Sequence, residues 1–438
     1  MTLLTRVFCV LTTILGCPEV LIGQSTDESG EMAFFEIDDN SDENTFFDIT
    51  SDQEDFNEKE SSYSINGSLR QDIIYGIASP SEFFLRNRRG IEQINSELFL
   101  QAQGRPSDNV KIKVSGVVNY NWGSWSSDGY TLGGYELTPK LKDFFVDLTT
   151  DNGVWVRLGN QIIARGELES VKITDIVNPI DISAPGQVEF KDVRIQVPAL
   201  FVSVPMRNGT TEVILTNDAG TDKVGTTEPG SAFDYSIINN QIMAFLPDSA
   251  SISREEIGPS QKWEAVGRIN YKLNGGDISL TVGEVNWNQT SLQGVGGSEP
   301  LLLEYGVDRV RVIGLSGNLV RGNYLLKYET ALNEGRKFQK VDPLVEWSEH
   351  QETVMGIGLE YSGLSDIILS LEVNRSNISN YTSDLSIDEY GEGFIVQGRW
   401  NGLNDLLSVY GSYNQLTGDN STISALFVEY GLTDDFKL

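Results

Sequence analysis

Ten ionisable side chains between residues 165 and 194 are the strongest candidates for a functional site in this sequence. They are Arg165, Glu167, Glu169, Lys172, Asp175, Asp181, Glu189, Lys191, Asp192 and Arg194. Carboxylates around a water-filled passage favour the entry of cations. A charged constriction discriminates between solutes by its electric field and its diameter. The segment 164–192 therefore predicts a constriction loop with a modest preference for cations. The alternative is a loop that caps the molecule or packs on it, with Asn178 and Pro179 forming a turn.

Groups suited to catalysis are scarce. The sole histidine, His350, lies in a polar segment that predicts an exposed loop rather than a general base beside a nucleophile. Residues 217–223 have aspartates spaced faintly like a calcium loop, but the closing glutamate is missing, which predicts a solvated loop. The sequence contains no zinc-type cluster, phosphate-binding glycine motif or serine elbow. We therefore expect a protein that is not an enzyme and that needs no metal or cofactor.

Charge and hydropathy exclude two further classes. The chain has 438 residues, with 32 basic against 63 acidic side chains and a formal net charge of -31. Nucleic-acid binding rests on Lys and Arg replacing counterions, so nucleic acid is excluded as a partner. No run of about eighteen apolar residues follows the N-terminus, which excludes a helical membrane protein.

The N-terminal residues predict export from the cytoplasm. Residues 1–24 contain Arg6, then the apolar stretch 7–15, then a smaller and more polar segment, as in a secretory signal peptide. Both cysteines, Cys9 and Cys17, lie within it, so the exported chain would have no disulfide and no cysteine ligand. The residues before Cys17 loosely resemble a lipoprotein cleavage box, but ordinary cleavage is preferred.

Residues 25–60 form an acidic segment with fourteen Asp or Glu and one Lys. Such a composition cannot gather enough apolar surface to offset the entropy of ordering. We expect a flexible periplasmic tail, and the alternative is a segment that grips a partner or a cation.

From residue 61 to 438 the sequence predicts β-strands. Segments of eight to fourteen residues alternate with period two, as in 110–122 and 263–273, where one face is apolar and the other is polar. The predicted polar faces carry Lys111, Lys113, Arg268, Lys272, Lys327, Glu329, Glu360, Gln397 and Arg399. Ten aromatic residues fall near predicted strand ends, where the girdles of a membrane barrel would lie. They are Tyr120, Trp122, Trp155, Trp263, Tyr271, Trp287, Tyr324, Tyr361, Trp400 and Tyr430.

The connections between these segments alternate between short and long. The short ones contain Gly, Asn or Asp, which tolerate the positive φ of tight hairpins. The long ones include 164–192, 288–305 and 333–351. This rhythm predicts an all-β fold, a transmembrane antiparallel up-and-down β-barrel with about 16 strands. The tail 433–438 is similar in sequence to two internal turns, each of which leads into another strand. The number of strands would therefore be 18 if a final pair of strands followed.

The stretch 156–205 resembles a family of barrels. It reads VRLGNQIIARGELESVKITDIVNPIDISAPGQVEFKDVRIQVPALFVSVP. The resemblance is to an uncharacterised proteobacterial outer-membrane β-barrel family, porin-like and named only as a domain of unknown function. The matching positions are Gly159, Gln161, Gly166, Glu167, Asn178, Pro179, Asp181, Lys191, Val197 and Pro198. Where the family pattern has Trp before Gly-Glu, this chain has Arg165. The resemblance implies a role beside an inner-membrane exporter of the resistance-nodulation-division type, in moving hydrophobic or bulky solutes.

These observations predict a passive, porin-like channel in the outer membrane of a Gram-negative bacterium. The expected partners are outer-membrane lipid and the barrel-assembly machinery, because only a closed barrel or a helix satisfies its backbone groups in lipid. The alternative is a non-conducting barrel that acts as an adhesin or as a partner of an envelope complex, and a secreted soluble β-protein is a third possibility. The sequence leaves the oligomeric state open.

Overall fold

Side-chain alternation defines the strands of this protein. Along Trp263–Leu273, Glu264 and Arg268 are buried, whereas Trp263 and Ile269 are exposed. Successive side chains of a strand point to opposite faces. The two ionisable groups therefore share one face of the strand with Val266, and the exposed Trp263 and Ile269 share the other, as the period-two pattern predicts.

Sixteen long strands follow one another along the chain. The structure is a computed structural model that describes residues 3–8, 63–76, 90–122, 124–126, 131–132, 136–169, 171–182, 193–217, 220–224, 252–256, 258–259, 261–296, 301–341, 347–404, 406–415, 422–433 and 436–437. In chain order, strands β1 to β16 are Tyr63–Gly76, Gly90–Ser107, Val110–Asn121, Glu136–Thr149, Trp155–Gln161, Val197–Met206, Gly209–Asn217, Trp263–Leu273, Gly276–Gly296, Leu301–Arg321, Tyr324–Gln339, Trp347–Leu364, Ile367–Ile378, Tyr390–Gly402, Leu407–Gln415 and Thr422–Thr433. Each strand pairs antiparallel with the next one. The predicted up-and-down architecture and the count of about sixteen are confirmed.

Seven shorter strands complete the described elements. They are Leu3–Phe8, Ser124–Ser126, Thr131–Leu132, Asp181–Ile182, Lys223–Val224, Ile252–Glu256 and Phe436–Lys437. Leu3–Phe8 pairs parallel with β1 and also contacts β16, and none of the described pairings joins β1 directly to β16. Phe436–Lys437 pairs antiparallel with β16, so the tail turns into another strand as predicted. The acidic segment 25–60 and most of segment 1–24 lie outside the described residues.

The two faces of the sheet differ in chemistry. The outer face exposes large apolar side chains on strand after strand, and these include Leu98, Leu100, Ile112, Val114, Phe144, Leu148, Leu158, Val213, Leu215, Leu280, Val282, Ile313, Leu315, Met355, Ile357, Leu359, Leu369, Leu371, Val396, Leu426 and Val428. The inner face buries polar and charged side chains, among them Asp72, Asp147, Arg157, Glu212, Arg268, Asn318, Glu329, Glu372 and Gln397. An apolar outer band and a polar interior are typical of transmembrane barrels. No helix of the described residues is long and apolar enough to cross a bilayer.

The aromatic residues at strand ends divide between the two faces. Six of them are exposed, as a girdle requires: Trp122, Trp263, Tyr271, Tyr324, Trp400 and Tyr430. Trp155 and Trp287 instead pack on the buried apolar core inside the sheet, so a girdle position is the wrong prediction for these two. Sequence position near a strand end does not reveal the face, because a shift of one residue reverses it.

Two predicted connections are shorter than expected. The structure extends β9 to Gly296 and starts β10 at Leu301, where the sequence predicts a long connection over 288–305. Likewise, β11 and β12 leave only 340–346 of the predicted connection 333–351. These four strands have 16 to 21 residues, whereas about nine to eleven residues are enough for a strand to cross the apolar layer. Beyond that layer both strand faces meet water, so their polar composition resembles that of a loop.

Candidate functional site

The connection between β5 and β6 is called the inner loop, and its described residues 162–169, 171–182 and 193–196 lie against the inner face of the sheet. Its described apolar residues Ile163, Leu168, Ile173, Ile176 and Val177 are all buried. They form one cluster with Val197, Ala199, Phe201, Ile214, Val266, Val285, Val310, Val312 and Ala331. These strand residues belong to β6 through β11, and Trp155 of β5 and Val354 of β12 pack against the same cluster. The inner loop therefore covers the inner face of about half of the strands.

Glycines on the inner face provide the space for this packing. A Cβ atom added at Gly356 would overlap Cδ1 of Leu168, and one added at Gly358 would lie 3.1 Å from Cδ2 of the same residue. A Cβ atom at Gly314 would lie 2.7 Å from Cγ2 of Thr174. The contacts at Gly356 and Gly314 are shorter than real Cβ contacts, so a larger residue at either position would require Leu168 or Thr174 of the inner loop to move.

Asn178 ties the two ends of the inner loop together. Its side chain is completely buried, and its Oδ1 accepts a hydrogen bond from the Ile163 N–H at 2.7 Å. Its Nδ2 donates to the carbonyl oxygens of Gln161, at 3.2 Å, and Ile195, at 2.7 Å. One side chain thus binds the residues that leave β5 and those that enter β6.

Other motif positions have local structural reasons. Gly159 has a φ of 138°, and a Cβ atom there would overlap the carbonyl group of Phe144 on β4. The Gln161 Nε2 donates to the carbonyl oxygen of Ala199 at 2.9 Å, which joins β5 to β6 inside the sheet. Val197 is fully buried, and the carbonyl oxygen of Pro179 accepts the Ile195 N–H at 2.7 Å. The carbonyl oxygen of Pro198 accepts a hydrogen bond from the Thr216 hydroxyl at 2.7 Å.

The predicted ionisable residues of the loop form specific pairs. Asp175 and Arg194 make an ion pair of 2.7 Å in which both side chains are almost completely buried. Lys172 donates to the carbonyl oxygen of Asn178 at 2.5 Å and to Oδ1 of Asn288 at 3.3 Å. A further pair joins the loop to β4, with Asp181 Oδ2 3.6 Å from Lys140 Nζ. Three candidates lie outside the described residues: Glu189, Lys191 and Asp192.

Glu167 lies deep in the interface between the inner loop and the sheet. Its carboxylate accepts a hydrogen bond from Asn318 at 3.2 Å and lies 3.7 Å from the Arg268 guanidinium, and its side chain is only 6% exposed. Next to it, Arg165 makes an ion pair of 2.9 Å with Glu212 on β7. The charges of this part of the loop are therefore paired with charges on the sheet.

Two glutamates on distant strands hold the tip of the loop, residues 167–169. Glu329 on β11 accepts the Glu167 N–H at 2.8 Å and the Thr174 hydroxyl at 2.7 Å on the same oxygen. Glu372 on β13 accepts the Glu169 N–H, with both carboxylate oxygens at 3.1 Å. The tip is therefore fixed by its own backbone.

The side chain of Glu169 marks where the interface meets solvent. It is 51% exposed, and its carboxylate lies 3.7 Å from Lys327 Nζ. Lys327 also lies 3.6 Å from Glu360, whose side chain is 20% exposed. With Glu372 beside them, this edge carries three carboxylates and one ammonium group.

Burial shifts the pKa values of two residues of the inner loop and of Asp222, which contacts that loop. It raises the pKa of the Glu167 carboxyl, which Asn318 partly opposes by its hydrogen bond. It also raises the pKa of Asp222, whose Oδ1 accepts the Ile180 N–H at 2.8 Å. Burial lowers the pKa of the Lys172 ammonium group, against the attraction of nearby carboxylates.

Two predictions about other residues are wrong. Asp222 is half-buried against the inner loop, although residues 217–223 predict a solvated loop. His350 lies within β12 rather than in a loop, with Nε2 2.6 Å from the Ser348 hydroxyl and Nδ1 3.0 Å from the carbonyl oxygen of Ser379. In the described part of the chain, no group of three or more His, Cys, Asp or Glu is arranged to hold a metal.

Sequence reasoning placed Lys327 and Glu329 on the inner face but missed Asn318 and Glu372. Period two along Ile367–Ile378 puts Glu372 opposite the exposed residues Leu369, Leu371 and Val373, so the alternation alone could have found it. Its hydrogen bond to the loop could not be found this way, since it joins residues 203 positions apart.

Part of this chain matches a known protein family. Residues 87–214 match the model of a family described as a protein of unknown function (DUF1302). The match includes the stretch 156–205, and it confirms the resemblance to a family of unknown function that this stretch indicates. Among curated proteins, none matches this chain.

Several solved outer-membrane proteins are similar in structure. A loop-deletion mutant of OmpT from Vibrio cholerae is 10% identical with a TM-score of 0.45, and the match covers 84% of this chain and 100% of that one. OmpF of Salmonella typhi, solved with daunomycin, is 9% identical with a TM-score of 0.45 over 84% and 97%. The outer membrane channel DcaP of Acinetobacter baumannii is 11% identical with a TM-score of 0.44 over 84% and 97%. The sequence identities and the TM-scores are both low, so the proposed function rests on the residues of this chain.

Proposed function

We propose that this protein is a passive, water-filled channel of the bacterial outer membrane, narrowed by its inner loop. One observation carries the proposal: a sixteen-stranded sheet with an apolar outer face and an ionised inner face has an internal loop over only part of that inner face. Barrels of sixteen to eighteen strands are wide enough to leave an aqueous channel.

The inner loop divides the strands into two groups. Strands β5 to β13 form the covered wall, because the apolar cluster and the backbone contacts of the loop tip all lie on them. Strands β14 to β16 and β1 to β4 form the open wall, and none of the residues described on them belongs to that cluster. We place the passage between the inner loop and the open wall.

Water-exposed charges on the open wall support this path. Arg70 and Glu97 lie 3.4 Å apart and are 22% and 21% exposed, and Lys113 and Asp143 lie 3.2 Å apart and are 26% and 18% exposed. Ionised groups retain partial exposure where water reaches them, because burying a charge without a partner is costly. Their pairing leaves the open wall with little net charge.

Selectivity is then set at the loop tip. Glu169 is exposed and Glu360 is partly exposed, whereas Lys327 and Glu372 beside them are more deeply buried. Carboxylates around a pore favour cations. We therefore propose modest cation preference.

The outer membrane is the location that the outer face supports. Exposed leucine, isoleucine and valine side chains recur on strand after strand, and bulk water would disfavour so large an apolar surface. Strand-based proteins of bacterial outer membranes have this band. The signal peptide predicted at 1–24 is consistent with export to that membrane.

A non-conducting barrel is the second candidate. The apolar cluster under the inner loop favours it, because the covered wall leaves no wet surface of its own there. Passage of hydrophobic or bulky solutes together with an exporter stays a prediction implied by the family resemblance.

Electrical recording from the refolded protein in planar bilayers tests the proposal. We expect stable single-channel steps, and we expect a deletion of residues 167–190, joined by a short Gly-Ser linker, to enlarge them at least about twofold, since the constriction sets pore resistance. Steps only after the deletion would favour the non-conducting barrel with the loop as a seal. Silence of both proteins would overturn the channel.

A further inference from the structure

Two buried glutamates of the covered wall accept hydrogen bonds from the inner loop. Glu329 is 3% exposed and Glu372 is 1% exposed. A buried carboxylate is costly unless donors satisfy it. The donors here include the N–H groups of Glu167 and Glu169 and the hydroxyl of Thr174, all from the inner loop.

The two glutamates lie on strands far from the strand at which the inner loop begins. Glu329 and Glu372 lie two strands apart, on β11 and β13, and they bind residues 167 and 169 of one extended segment. The loop leaves the sheet at β5, so the tip binds the strands farthest from its origin along the covered wall. An anchor at the far end limits swinging of the loop across the lumen.

We propose that Glu329 and Glu372 are positioning residues that hold the loop tip at a constant distance from the open wall. This inference rests on the channel function proposed above. The carboxylate oxygens act as hydrogen-bond acceptors for the loop backbone, and they keep Glu169 at the solvent edge where passing ions meet it. The alternative is that apolar packing, such as that of Leu168 against Gly356 and Gly358, holds the tip without them.

Cysteine labelling at the tip separates these explanations. The only native cysteines, Cys9 and Cys17, lie within the predicted signal peptide, so the mature protein offers a clean background. Val171→Cys, at a partly buried position that packs on the apolar cluster, reports whether the tip is docked. The refolded full-length mature protein in vesicles is treated with a water-soluble methanethiosulfonate reagent, and the modification rate is measured.

The variants differ in what they offer the loop backbone. Glu329→Leu with Glu372→Leu removes the acceptors, and we expect labelling to accelerate at least about tenfold, the loss expected from one hydrogen bond to a charged acceptor. Glu329→Gln with Glu372→Gln keeps a carbonyl oxygen at each site, and we expect labelling within about twofold of the parent, since an acceptor remains for each N–H. Glu284→Leu, on the outer face and 51% exposed, is the matched control and leaves the rate unchanged.

The outcomes are separable from those of the channel experiment. Labelling decides the positioning role even in a protein that passes no current, whereas conductance decides the channel. A Leu pair that labels as slowly as the parent, with a far-ultraviolet spectrum matching it, overturns the positioning role. A Gln pair that labels as fast as the Leu pair overturns it as well.

Discussion

The covered wall and the open wall share one strand alternation but differ in what lies against them. On the covered wall, inward valines, Phe201 and Ile214 pack against apolar residues of the inner loop, and charges such as Arg268 and Glu212 bind loop charges. On the open wall, inward Arg70 and Lys113 pair with carboxylates of neighbouring strands and stay partly exposed. This difference fits the proposed channel, in which one part of the inner face carries a protein core and the other part borders the passage.

The largest expected effect comes from neutralising two carboxylates, one in the inner loop that packs on the covered wall and one on the open wall. The comparison of the two walls predicts that the two variants lose very different amounts of stability. Asp175→Asn, in the inner loop, removes the carboxylate that pairs with the buried Arg194 guanidinium, and we expect a loss of about 3–5 kcal/mol in the free energy of unfolding. Asp143→Asn does the same to the half-exposed Lys113, where we expect about 0–1 kcal/mol.

Urea titration of the protein refolded into vesicles measures both values. Equal losses in the two variants would mean that water does not reach the open wall.

Filling a glycine should sharpen the comparison next. Gly356→Leu places a side chain where Leu168 lies, and we expect about 1–3 kcal/mol of destabilisation from overpacking. We also expect smaller single-channel steps, because the added side chain moves the loop away from the covered wall and toward the passage. Gly411→Leu is the matched change on the outer face of the open wall, where an added Cβ atom would lie 3.8 Å from Leu426. We expect no change in its steps, and larger or unchanged steps in Gly356→Leu would contradict the docking described for Leu168.

A smaller effect is expected at the solvent edge of the loop tip. Glu169→Gln removes an exposed charge beside the passage, and we expect the cation-to-anion permeability ratio to fall by roughly 1.5- to 5-fold, which corresponds to about 0.2–1 kcal/mol. Reversal potentials in a salt gradient measure this ratio. Glu284→Gln has the same exposed fraction on the outer face and should leave the ratio unchanged. An equal fall in both variants would place the selectivity elsewhere.

The smallest effect concerns pH. Burial raises the pKa of Glu167 in the folded protein, so between the ordinary carboxyl pKa of about 4.3 and the raised value the folded state binds more protons than the unfolded state. The contribution of Glu167 to the free energy of unfolding therefore falls as pH rises through this interval. We expect Glu167→Gln to flatten that part of the stability-against-pH curve. A curve of unchanged slope would show that Glu167 does not titrate in this interval.

The local parts of the fold could be predicted and the long-range parts could not. Alternation along 110–122 and 263–273 depends only on neighbouring residues, so it predicts the strand and its two faces. The aromatic residues show the limit of this reasoning, because Trp155 and Trp287 face inward from positions that resemble a girdle. The ends of β9 and β10 were missed for a related reason, since strands that leave the membrane lose the apolar face that identifies them.

The sequence by itself determined the class of this protein: about sixteen antiparallel strands, an ionised face and an apolar face, and a charged connection after β5. Alternation and turn residues act over a few positions, so they can be read without the fold. Only the tertiary structure decided that this connection lies against β5 to β13 and that Glu329 and Glu372 receive its tip. Those hydrogen bonds join residues 162 and 203 positions apart, and such contacts exist only once the sheet has brought the strands together.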